Sequence, residues 1–191
     1  FSFQPFNISV IIFLIFPILF GLLIYINKKS KSTFRKKPYK MNLFIFGCTF
    51  GFGFYLSGIS WITNSLTFDE NFKILIPFAL LLIPLFLSLF FGFTTLFVGP
   101  FLSYNFSSIL IFSAAMGLSD FIRAKIFTGF PWNLWAYSLS WFEEIIQILN
   151  IIGLFAFNLI VITVFTLPVI FFYKISSLKK IIFILFYFFL F

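Results

Sequence analysis

From residue 8 to residue 26 the chain carries no charged side chain, and the same is true of residues 41–62, 74–98 and 145–173. Runs of this length constrain the fold more than any other feature, because a helix needs about 20 apolar residues to cross the ~30 Å hydrocarbon core of a bilayer. A shorter run, 106–122, holds one acid, Asp120, near its end, and another apolar run begins at 181–191. No alternation of polar and apolar residues runs through these segments, which argues against a transmembrane barrel. The expected fold is therefore all-α: a polytopic transmembrane helix bundle with about five complete spans (8–26, 41–62, 74–98, 106–122, 145–173) and a truncated sixth (181–191). Composition agrees. Only 9% of residues are charged, against the roughly 25% that a water-facing surface requires.

Charge placement sets the expected orientation. Seven of the thirteen Lys and Arg residues fall in 28–40, directly after the first apolar run. With that segment in the cytoplasm, the same side also holds 99–105 and 174–180, and it collects ten of the thirteen basic residues. Lys73, Arg123 and Lys125 fall on the opposite face, together with all five acids, Asp69, Glu70, Asp120, Glu143 and Glu144. This is the positive-inside pattern. It puts 63–73 and 120–144 outside and all four tryptophans on one face. The net charge of +8 is read as a topology signal, with attraction of anionic lipid as a secondary role. The expected partner is a lipid bilayer, with no nucleic acid.

The chain has one cysteine and no histidine, which excludes an internal disulfide, a His-based triad and a Cys/His metal site. No metal or other cofactor is expected. Cys48 sits mid-run in an apolar segment, where a thiol reads as a small packing group, not a nucleophile. The first apolar run is not a signal peptide, because its basic residues follow it and no small-residue cleavage site appears. The sequence starts at Phe1 and stops at Phe191 inside an apolar run, so truncation at both ends is expected. The 37 phenylalanines are as consistent with AU-rich codons as with selection, so single Phe positions carry no weight in this reading.

Three local patterns stand out. Gly47 and Gly51 form a GxxxG beside Gly53 and Gly58; small residues at that spacing serve close helix packing or leave a groove for an acyl chain. Asp120 and Arg123 share a helix face at i,i+3. They are either a structural pin or a guanidinium fork set to hold a lipid phosphate. The third pattern is 127–141, FTGFPWNLWAYSLSW, which gathers Trp132, Trp135, Trp141 and Tyr137 at a membrane–water boundary. Gly129 permits a turn there, and Pro131 fixes its own φ and extends Phe130. That platform presents Trp132 in one direction, for interfacial anchoring or for a specific contact.

Residues 46–62 (FGCTFGFGFYLSGISWI), 120–140 (DFIRAKIFTGFPWNLWAYSLS) and 152–164 (IGLFAFNLIVITV) together resemble the apolipoprotein N-acyltransferase family. In the third block the order Phe157-Asn158 departs from the family's Asn-Phe. FSFQPFNIS at the start resembles the loop after the family's first helix. The resemblance implies eight membrane helices and a periplasmic nitrilase-like domain that carries a Glu-Lys-Cys catalytic set. This chain would lack the first helix, most of the seventh, the nitrilase-like domain and the eighth. No residue here matches the catalytic set, and Cys48 does not take that role.

By resemblance, the full enzyme is a bacterial inner-membrane acyltransferase. It moves an acyl chain from a phospholipid donor to the N-terminal amine of a diacylglyceryl-cysteine lipoprotein. The membrane part would position both lipids, with Trp132 as first candidate for substrate contact, then Arg123 and Trp61, with Phe130, Pro131 and Tyr137 around them. Gly47, Gly51, Gly129 and Asp120 would be structural. Alone, the chain is expected to be inactive. A small transporter fragment and a non-catalytic membrane scaffold are the rival readings.

Overall fold

The computed structural model describes residues 8–33, 38–126, 131 and 133–172. Helix α1 spans Ile12–Thr33, α2 Pro38–Ile59, α3 Ile76–Val98 and α4 Phe106–Ile126. Two short helices, α5 (Glu143–Ile146) and α6 (Leu149–Ile152), lead into α7 (Leu154–Thr166). Stretches of 3-10 helix fill Ser60–Thr67, Glu70–Leu75, Trp135–Leu139 and Leu167–Phe172. There is no strand among the described residues, so the fold is all-α. Four helical stretches, Ser9–Lys31, Lys40–Thr67, Glu70–Phe101 and Leu154–Phe171, are long and apolar enough to cross a membrane. The apolar start at 181–191 lies outside the described residues.

Two boundaries differ from the sequence reading. The basic segment 28–40 is helical up to Thr33 and again from Pro38. Lysine marks where a span leaves hydrocarbon, but it is a good helix former and need not end the helix. The run 145–173 is not one helix. Gly153 takes φ +78°, a conformation open chiefly to glycine, and α7 starts only beyond it. The residues before this break are largely exposed, Ile151 at 84%.

Successive long helices run in opposite directions, which gives the bundle two ends. At one end Asn27 Nδ2 donates to the Pro100 carbonyl (3.4 Å), Asn42 Nδ2 donates to Ser30 Oγ (2.9 Å), and Lys28 lies over the Tyr104 ring. The acids, Trp61, Trp135, Trp141 and residues 133–140 gather at the other. The α2–α3 pair is the tightest contact. A Cβ on Gly47 would collide with Thr95 Oγ1 and come within 2.7 Å of the Phe91 carbonyl. One on Gly51 would press on the Phe91 ring. Thr95 Oγ1 donates across the same interface to the Leu43 carbonyl (2.8 Å). These backbones approach closely because glycine leaves the room.

Helix α1 is the centre of the core. Its Phe16 and Phe20 meet Phe112 of α4, and Phe16 also meets Phe165 of α7, mostly edge to face. The outer faces remain apolar: Phe78, Leu81, Leu85, Phe86, Phe93 and Phe97 on α3 are all exposed. A helix that is apolar inside and out suits lipid as its solvent.

Candidate functional site

The polar centre of the described residues lies at the end that holds Trp61, Trp135 and Trp141. Asp120 and Arg123 occupy the last two turns of α4, 5% and 2% exposed. Arg123 Nη2 donates to Asp120 Oδ1 at 3.1 Å. A charge buried this deeply is tolerated only when paired. The second carboxylate oxygen is also used: Asn158 Nδ2, from the second turn of α7, donates to Asp120 Oδ2 at 2.9 Å. The amide oxygen of Asn158 in turn accepts from the Ala136 backbone N–H at 3.0 Å. One fully buried asparagine thus ties α4, α7 and the aromatic stretch 133–139 together.

Tyr55, in the last turns of α2, closes the site from the opposite side. Its ring faces the Arg123 guanidinium, with Cζ 5.4 Å from the ring centroid. The Tyr55 hydroxyl, Arg123 Nε and Asn133 Nδ2 are buried and make no hydrogen bond of good geometry. Asn133 has φ +49°, in the left-handed region that asparagine tolerates better than most residues. Its amide lies on Gly58, where any Cβ would collide with it. Tyr55 and Gly58 are one turn apart on α2, so a single face of that helix receives both the guanidinium and the turn.

The residues singled out from sequence divide into three groups. Asp120 and Arg123 are at the centre of the network. Tyr137 borders it, half-exposed; burial raises its phenol pKa, against the opposing pull of the Arg123 charge. Pro131 is half-buried nearby, and Trp61 is 58% exposed on the stretch that follows α2. Gly47 and Gly51 belong to the α2–α3 contact and not to this network. Trp132, Phe130 and Gly129 lie outside the described residues.

Trp135 needs correction. Read from sequence as part of the interfacial belt with Trp141, it is a core residue, 2% exposed. Its indole stacks on Phe54 at 4.3 Å and meets Phe16 edge-on at 4.7 Å. Trp141 is exposed, at 55%. Sequence reasoning also missed Tyr55, Asn133 and Asn158 as members of the site. The available signal was a polar residue isolated in an apolar run.

This arrangement is a lock, not a reaction centre. Both carboxylate oxygens are engaged, and the nearest serine in the stretch, Ser138, donates to its own helix at the Trp135 carbonyl (2.7 Å). Cys48 is remote, packed against Gly92 in the α2–α3 contact.

An all-helical bundle with lipid-compatible faces and an aromatic stretch, 133–139, pinned at one end defines a polytopic membrane protein. Residues 1–167 match the family model for the apolipoprotein N-acyltransferase N-terminal domain, and the chain belongs to that family. It is 33% identical over 166 residues to the apolipoprotein N-acyltransferase of Brucella melitensis biotype 1, covering 86% of this chain and 31% of the relative. To that of Rickettsia bellii it is 40% identical over 121 residues, 63% of this chain and 24% of the relative. The chain thus spans between about a quarter and a third of these relatives. No solved structure matches it.

Proposed function

We propose that this chain is the membrane part of an enzyme that acylates the N-terminal amine of diacylglyceryl-cysteine lipoproteins, with a phospholipid as acyl donor. The observation that carries the proposal is the match of residues 1–167 to the family's N-terminal domain. In this reading the nucleophile is a cysteine in the part of the relatives that this chain does not cover. Its thiolate attacks the phospholipid ester, and the protonated lysophospholipid leaves. The lipoprotein amine then attacks the thioester, the amide forms and the thiolate departs. The bundle supplies position. The Asp120–Arg123–Asn158 lock is proposed to hold the aromatic stretch 133–139 at the bilayer edge, where both lipid substrates must meet. Trp132, Phe130, Pro131, Tyr137 and Trp61 are proposed to contact them, while Arg123, 2% exposed and paired with Asp120, is proposed to act through the lock. The protein is proposed to lie in the bacterial inner membrane, with 28–40 cytoplasmic and 120–144 periplasmic.

A chimera tests this directly. Residues 1–167 replace the corresponding region of the Rickettsia bellii relative, and the product is reconstituted with phosphatidylethanolamine and a diacylglyceryl peptide. Mass spectrometry should find the N-acylated peptide. Residues 1–191 alone should yield none. A folded, inserted chimera that fails to acylate refutes the reading, and activity from residues 1–191 alone refutes the division of labour.

A further inference from the structure

The two short helices α5 and α6 share one helical path. At their junction the Ile148 N–H donates to the Ile145 carbonyl (3.2 Å) and the Asn150 N–H to the Gln147 carbonyl (3.1 Å), so the winding does not break. At about 100° per residue this path sorts its side chains into three sectors. Ile145 and Leu149 pack against the core. Glu143, Gln147 and Asn150 share an exposed polar side. Ile148, Ile151 and Ile152 share an exposed apolar side at i, i+3, i+4 spacing, with Ile151 the most open of them. A helix with one side packed on its own protein, one side polar and one side apolar is built for a boundary between water and hydrocarbon.

The span that follows fixes the level of this helix. Together α7 and the 3-10 stretch after it rise about 31 Å, which matches the ~30 Å of hydrocarbon in a bilayer. No charged residue occurs in the sequence from Ile145 to Tyr173. Gly153 therefore stands at the hydrocarbon boundary, and its φ of +78° ends the helical path there. The path before it starts at the exposed Glu143 and Glu144 and finishes at that boundary. Glu144 falls on the isoleucine side, but about two turns before Ile151, at the end nearer water. We propose that residues 143–152 form an interfacial helix that lies along the membrane surface. Ile148, Ile151 and Ile152 enter the acyl region of the lipid monolayer, while Glu143, Gln147 and Asn150 stay in water. The partner of this face is lipid, and the contact sets the height of α7 and of Asn158 within it. The proposal does not depend on the acyl-transfer reading.

The test uses the full chain with Cys48→Ala, in nanodiscs of phosphatidylethanolamine and phosphatidylglycerol that leave both faces open to reagent. Single cysteines are placed by Ile151→Cys and Asn150→Cys, both at exposed positions, so the core is not disturbed. A nitroxide attached before reconstitution is read by power saturation against oxygen, which concentrates in lipid, and against a water-soluble nickel chelate. The label at 151 should favour oxygen and the label at 150 the nickel chelate. Without the label, a water-soluble thiol reagent should react about 10- to 100-fold more slowly at 151 than at 150, because only the thiolate reacts and apolar surroundings disfavour it. A label at 151 that favours nickel lies in water and overturns the proposal. One shielded from both relaxants is covered by protein, a second copy included, and overturns it as well. Equal thiol rates, or a label at 150 that favours oxygen, would remove the division of the helix into a lipid side and a water side.

Discussion

Asn158→Leu should be among the most damaging near-isosteric substitutions in this chain. It keeps roughly the volume and the apolar surroundings of α7 but removes two hydrogen bonds, to Asp120 Oδ2 (2.9 Å) and from the Ala136 N–H (3.0 Å). Each partner then stays buried without a replacement. Leaving a backbone N–H unsatisfied costs about 1–2 kcal/mol, and stranding a carboxylate oxygen about 2–3, so the sum is about 3–5 kcal/mol. Lipid lowers the figure, because the denatured helices also find polar partners, so the low end, about 3 kcal/mol, is expected. The assay is reversible unfolding in mixed micelles with SDS, followed by tryptophan fluorescence. Trp135, packed on the same stretch, reports the loss. A double-mutant cycle with Asp120→Asn should show coupling of about 1–2 kcal/mol, since the two side chains share one bond. A loss below about 1 kcal/mol, or strict additivity, would mean that Asn158 does not hold the network, and the lock would have to be abandoned.

Three further outcomes follow from the same geometry. Gly47→Ala should cost about 1–3 kcal/mol by forcing α2 from α3, whereas Gly53→Ala, with open space around its Cβ, should be neutral or gain about 0.5–1 kcal/mol of helix propensity; equal effects in the unfolding assay would break the packing argument. In a Cys48→Ala background on intact cells, a membrane-impermeant thiol reagent should label Asn64→Cys and spare Ser32→Cys, and the reverse pattern inverts the proposed topology. In the chimera, Trp132→Ala should cut turnover about 30- to 200-fold at normal protein level, as loss of a contact worth about 2–3 kcal/mol requires, while Trp141→Ala, on the exposed belt, should be mild; equal activities would reduce Trp132 to an anchor.

Hydropathy made four long apolar helical stretches legible, though 106–122 is not among them and 145–173 qualifies only from Leu154, because lipid imposes a length and forbids unpaired charge, and both demands act residue by residue along the chain. It located the ends of apolar runs, not the ends of helices. Lys28, Lys29 and Lys31 stop the apolar run while the helix continues to Thr33. Gly153 was invisible for the opposite reason: one backbone angle breaks a run whose side chains stay apolar on both sides. The i,i+3 spacing of Asp120 and Arg123 was enough to predict their pairing, because it depends on one helix. Tyr55 and Asn158 complete the site from α2 and α7, and nothing local to either residue says which helix it will face.

Trp135 and Trp141 show how far composition reaches and where packing takes over. They are six residues apart in one aromatic stretch, and by residue type both suit a membrane interface equally. What separates them is the bond from Ala136 to Asn158. Fixing the backbone at Ala136 to a residue inside α7 draws the preceding indole onto Phe54 and Phe16. Among the described residues nothing comparable holds Trp141, which stays exposed. The same bond therefore explains why Trp135 would be a poor control for Trp132. Truncating a buried tryptophan costs about 3–5 kcal/mol of stability, so Trp135→Ala would lose activity by losing the bundle end that presents the turn. Only an exposed tryptophan separates a substrate contact from a fold requirement. A Trp141→Ala variant that unfolds like Trp135→Ala would show that the division of the stretch into core and belt is wrong.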